Sequence, residues 1–135
     1  MTRTDAIHSQ PLFLVDPSTA AVGYGKQVDW TTVTAVSGKK WLKPGTVVAL
    51  TAGGKLMPRS AATTETAYGI LVTYAEENNL DHASTGYGVV ESGSIAENLL
   101  PEASGTPRVI NSTWKTELIA TGGWWRFQQH SALTL

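Results

Sequence analysis

The sequence predicts an α+β fold that is mostly β: a small β-rich domain with one or two short helices behind an extended N-terminal arm. Three observations carry that expectation. Thr, Val and Ile make up 34 of the 135 residues, and β-branched side chains suit the half-buried surface of a pleated strand. Gly (13) and Pro (6) punctuate the chain as short strands and turns require. Apolar residues fall at helical spacing in one late stretch, at Ile110, Trp114 and Leu118. The length suits one folded unit, divided into an arm at 1–20 and a β-rich domain at 21–135.

The arm opens on polar, aperiodic MTRTDAIHSQ. The run PLFLV (11–15) follows, flanked by Pro11 and by Asp16-Pro17. Five residues are too few for a helix, and the flanking prolines suit an isolated extended segment. Either it is the first core strand of this chain or it pairs with another chain. Residues 22–30 alternate, with Val22, Tyr24, Val28 and Trp30 on one face beside Lys26, and predict a strand. Thr31–Val36 continues β-like to a turn at Ser37-Gly38, and Trp41-Leu42 precedes another at Pro44-Gly45.

TVVALTAGGKLMP (46–58) reads as a hairpin closed by a two-residue Gly53-Gly54 turn. A polar connector (59–66) leads to the strand AYGILVTY (67–74), with Tyr68, Ile70, Val72 and Tyr74 on one face and Leu71 on the other. Residues 75–86 read as a loop and 87–95 as a strand. AENLL (96–100) makes a helical turn stopped by Pro101. Thr106-Pro107 predicts a capped helix start, and Gly122-Gly123 its end. WWRF (124–127) is the last strand. Trp124 and Trp125 point to opposite faces, so both are buried only where both faces are covered, one of them by a neighbouring subunit. Otherwise one is core and the other lies at the surface, alone or as a sugar-stacking platform.

Several function classes are excluded at this stage. A net charge of −1 without a basic run does not fit a general nucleic-acid binder. Apolar stretches are only a few residues long, so no membrane span is expected, and the polar first ten residues contain no secretory apolar region. With no Cys there are no disulfides, thiolate metal sites or Cys nucleophile. His8, His82 and His130 lack the spacing of metal ligands, and no nucleotide-binding or hydrolase motif occurs. No metal site and no cofactor are expected. Glu91, Glu97 and Glu102 are the acids that a hydrolase would need, with the 76–82 loop as a further candidate, yet nothing in the sequence pairs them. The chain therefore reads as non-enzymatic, with no catalytic residue.

GSIAENLLPEA (93–103), with Gly93, Glu97, Leu99, Leu100, Pro101, Glu102 and Ala103, resembles a segment of lambda-type bacteriophage head decoration proteins. PGTVVALTAGGKLMP (44–58) resembles that family's early hairpin, and AYGIL (67–71) its Ala-x-Gly-Ile-Leu strand. The blocks keep the family's order and spacing, and the similarity covers about residues 44–127. The resemblance implies a homotrimeric cement protein on the outer capsid surface of the virion. It would sit at three-fold and quasi-three-fold sites of the expanded head and hold the shell against packaged DNA. Its partners would be the major capsid protein, reached by an arm that adds a strand, and itself. On that reading Leu12, Phe13, Leu14 and Val15 are the capsid-binding anchors. Leu99, Leu100, Trp124, Trp125 and Phe127 are the subunit-interface candidates, with plain core packing an equal alternative for the two leucines. Residues 1–43 are longer and more strand-like than the family's Pro/Gly/Ser/Thr-rich arm. A carbohydrate- or receptor-binding module of a virion or tail, using the same aromatics, is the alternative function.

Overall fold

A computed structural model describes residues 13–15, 18, 20–60, 65–77, 86–97, 100 and 110–128. The strands are β1 (Ala21–Lys26), β2 (Trp41–Leu42), β3 (Val47–Leu50), β4 (Leu56–Pro58), β5 (Ala67–Leu71), β6 (Ala75–Glu76), β7 (Tyr87–Ala96) and β8 (Trp125–Gln128). The helix α1 spans Ser112–Ala120. The main sheet runs β1-β7-β5-β3-β4 with antiparallel neighbours, while β8 joins β7 in parallel and β2 pairs with β6 as a separate ribbon. The fold is thus the mostly β, antiparallel α+β architecture that the composition predicts.

Adjacent residues divide the core. Val47, Ile70 and Val90 enter one apolar cluster, while their chain neighbours Val48, Leu71 and Val89 enter the other. Side chains alternate across a strand, so the sheet is covered on both faces. Phe13, Leu14, Ala67, Ile95, Leu100, Ile110 and Leu118 complete the first cluster; Val28, Val33, Leu42, Leu56, Ala75 and Tyr87 complete the second.

Strand β7 changes partners along its length. Its first half lies between β1 and β5. From Gly93 onward it pairs with β8, and on its other side Leu14 bridges Ile95. Gly93 takes φ +151°, and a Cβ there would meet that of Ala20 at 3.2 Å. The close approach of β5 to β7 depends on Gly69, whose Cβ would lie 2.4 Å from Val89 Cγ1 and 2.5 Å from the Val90 carbonyl oxygen.

The structure revises several local expectations. The hairpin loop has three residues rather than two: Thr51 N–H donates to the Lys55 carbonyl, Gly54 N–H closes a turn onto Thr51, and only Gly54 is left-handed (φ +81°). The 22–30 strand ends at Lys26. Val28 bridges Leu56 in parallel, and Trp30–Thr32 is a 3₁₀ turn capped by Asp29. Tyr24, expected on the apolar face, is 77% exposed. The loop expected at 75–86 contains β6. The N-cap of α1 is Asn111, which accepts from Thr113 N–H at 2.8 Å; the Thr106-Pro107 start lies outside the described residues. Gly122 ends the helix as expected, at φ +93°.

The N-terminal segment is corrected as well. Phe13 and Leu14 are 3% and 8% exposed in this chain's own core. Val15 N–H donates to the Ser94 carbonyl, and Ala96 N–H to that of Phe13. These residues add to β7 of the same chain, so Phe13 and Leu14 are not side chains of a separable arm offered to a capsid. Half-buried Val15 shares that segment. Burial of an aromatic and an aliphatic side chain decides it, since exposing them would cost about 1.5–3 kcal/mol each. Leu12 lies outside the described residues.

Candidate interaction site

Two bulges bring the polar chemistry of the sheet together. Between β3 and β5 the register passes from Val48↔Gly69 to Ala49↔Ala67, leaving Tyr68 as an extra residue. Ile70 therefore shares a cluster with Ala67, and Tyr68 packs against the opposite one, not on the face of Ile70 as alternation predicts. Between β1 and β7 the register passes from Ala21↔Ser92 to Val22↔Val90, leaving Glu91 extra. The Tyr68 hydroxyl donates to Glu91 Oε2. Burial first, and then that hydrogen bond, push the Tyr68 phenol up to about 12, so it stays protonated as a donor at neutral pH. Gly23 makes room for the carboxylate, since a Cβ there would lie 2.4 Å from Glu91 Oε2.

The 121–123 turn after α1 closes over this pair. A Cβ on Gly123 would fall 2.5 Å from the Glu91 carbonyl oxygen. The result is an open cleft of about 340 Å³ lined by Ala21, Tyr68, Glu91, Ser92, Gly122 and Gly123 among others. The Lys26 ammonium lies 5.7 Å over the Tyr68 ring.

The other candidate acid has a structural task. Glu97 is 4% exposed, accepts from Ile110 N–H at 2.6 Å and pairs with Lys115 at 3.0 Å. It ties the end of β7 to the approach to α1. Glu102, the three histidines and most of the 76–82 loop lie outside the described residues. Among the described residues no group of three His, Cys, Asp or Glu is placed to hold a metal. No described helix is long and apolar enough to cross a membrane.

The aromatic edge divides as adjacent strand positions must. Trp124 is 54% exposed, whereas Trp125 and Phe127 are half-buried against the Ile95 cluster. Their rings stack at 5.7 Å with 5° between planes, and Lys115 stands 5.4 Å over Phe127. Trp125 Nε1 is buried without a hydrogen-bond partner among the described residues. Leu100 is core in this chain, which corrects its candidacy as a subunit contact; Leu99 lies outside the described residues. Sequence reasoning named Glu91 but not its partner Tyr68, because a bulge, not the alternation, turns that side chain. A second aromatic pair was also missed: Trp41 and Tyr74 stack at 6.0 Å with Lys43 over the Trp41 ring. The chain matches no family model, no curated protein and no solved structure.

Proposed function

We propose that this protein is a non-enzymatic bacteriophage head decoration protein. It binds the outer surface of the expanded capsid as a homotrimer at three-fold and quasi-three-fold sites, and stabilises the virion shell against packaged DNA. The observation that carries the reading is the order and spacing of the three resembling blocks, 44–58, 67–71 and 93–103. Strands from these blocks are neighbours in one sheet, in the order β7-β5-β3-β4. The exposed Trp124 beside half-buried Trp125 and Phe127 supports a subunit contact there, since aromatics anchor interfaces.

Capsid attachment by strand addition relies on backbone pairing. Each net hydrogen bond contributes roughly 0.5–1.5 kcal/mol, so one attachment is weak. Three on one trimer gain about 10² to 10⁴ in avidity where all reach their sites. The test is co-sedimentation with expanded heads, using the full chain and a variant lacking residues 2–12, which retains Phe13 and Leu14. The full chain is expected to saturate the heads and the shortened chain to lose occupancy. A full chain that leaves heads bare overturns the reading; full occupancy by the shortened chain overturns attachment through residues 2–12. The exposure of Trp124 also suits the alternative saccharide- or receptor-binding role, which a glycan-array signal lost in Trp124→Ala would favour.

A further inference from the structure

The Tyr68–Glu91 cleft has a charge without a counter-charge. Glu91 is its one charged lining residue. Tyr68 takes one carboxylate oxygen, and no ion pair reaches Glu91 among the described residues. A carboxylate accepts several hydrogen bonds, so one phenol leaves it with capacity to spare. Both residues are the extra members of bulges, a device that re-aims side chains beside functional sites.

Most described cations are already engaged. Lys26 lies over Tyr68, Lys43 over Trp41, and Lys40 donates to the Trp30 carbonyl at 2.9 Å. Arg59 and Lys115 pair with Glu117 and Glu97, and Lys55 acts on Asp29. Arg126 is different. It is exposed on β8, opposite Ser94 in register, and has no partner among the described residues. Its chain neighbours are Trp125 and Phe127, with exposed Trp124 just before the strand begins. Arg with Trp and Tyr is the composition of interface hot spots. A planar guanidinium also fits a carboxylate through two parallel hydrogen bonds. Lys39, the other unengaged cation, carries a compact ammonium without that planar fork.

We infer that Arg126 of one protomer enters the Glu91 cleft of the next, its guanidinium donating to the carboxylate that Tyr68 holds in place. The inference rests on the trimeric reading above and names the contact that closes the ring. In a trimer each protomer donates Arg126 to one neighbour and accepts at Glu91 from the other, a head-to-tail contact of the kind that generates cyclic rings.

The test is a double-mutant cycle on self-association, read as solution mass by light scattering across a concentration series. The variants are Arg126→Gln, Glu91→Gln and the double variant, with far-UV circular dichroism as the fold control. Arg126 is exposed, so its substitution probes the contact even if Glu91→Gln loosens the cleft. The wild type is expected at three chains. Each single variant should raise the concentration for assembly about tenfold or more, and the double variant should do no worse than either single. The inference is overturned by a wild-type mass of one or two chains, by an Arg126→Gln variant that assembles like wild type, or by effects that simply add. The decoration reading is judged separately, by whether the wild-type chain occupies expanded heads.

Discussion

Glu117 shows how much of the fold can depend on one side chain. It receives Arg59 through two hydrogen bonds of 3.0 Å and Ala67 N–H at 2.7 Å, so α1, the end of the hairpin and the start of β5 meet on one carboxylate. Arg59 also lies 5.6 Å from the Trp114 ring centre. The Arg59 hydrogen bonds, more than burial opposes them, hold the Glu117 carboxyl below its ordinary value of 4.5. A depressed folded-state value contributes stability that is present above the unfolded value and lost as pH falls through the folded one. Glu117→Gln is therefore expected to lower unfolding free energy by about 2 kcal/mol at pH 7. It should also flatten the loss of stability expected of the wild type below pH 4.5, as urea titrations across pH would read it. The sequence offers no sign of this pair, because its members are 58 positions apart. Glu97 was visible as an acid, but its task depends on Lys115 and the Ile110 amide, which only the fold supplies.

Elements were legible where alternation and punctuation agree. The 46–58 hairpin, β5, β7 and the end of α1 at Gly122 follow from apolar strands bounded by glycine. Register irregularities were not legible, because a bulge adds one residue without changing composition, and it is bulges that place Tyr68 and Glu91. The Phe13–Val15 segment was ambiguous for a related reason: a five-residue apolar run reads alike whether its partner strand is its own or another chain's. The structure pairs it with β7. Phe13→Ala is expected to cost about 3–5 kcal/mol in chemical denaturation, the range for an aromatic removed from a core. A cost under 1 kcal/mol would show that the segment does not belong to the folded unit.

The described residues build a main sheet with an apolar cluster on each face, and the two clusters share strands β3, β5 and β7 residue by residue. Neither face can lose its packing while the other keeps these strands in place. Unfolding is therefore expected to be a single cooperative transition. The check uses two single-tryptophan variants, one keeping Trp30 beside the second cluster and one keeping Trp125 beside the first. Within each variant, the fluorescence and far-UV circular dichroism midpoints in urea should coincide. A fluorescence midpoint that departs from the circular dichroism midpoint in either variant would show that one face melts alone. At this scale composition was most informative, since β-branched richness with Gly and Pro punctuation predicted a β-rich unit. The two-sided covering was foreshadowed only by pairs such as Val47-Val48 and Val89-Val90.

The partner change at Gly93 has a mechanical consequence. Strand β7 is a continuous covalent tie between two wings, one made of β1 and β5, the other of β8 and the Phe13–Val15 segment. A load applied at the β8 edge travels along β7 into the main sheet. Pulled along the strand axis, the hydrogen bonds on either side are sheared together instead of being unzipped singly. A tie of that geometry resists tension from an expanding support far better than a hairpin whose bonds open one after another.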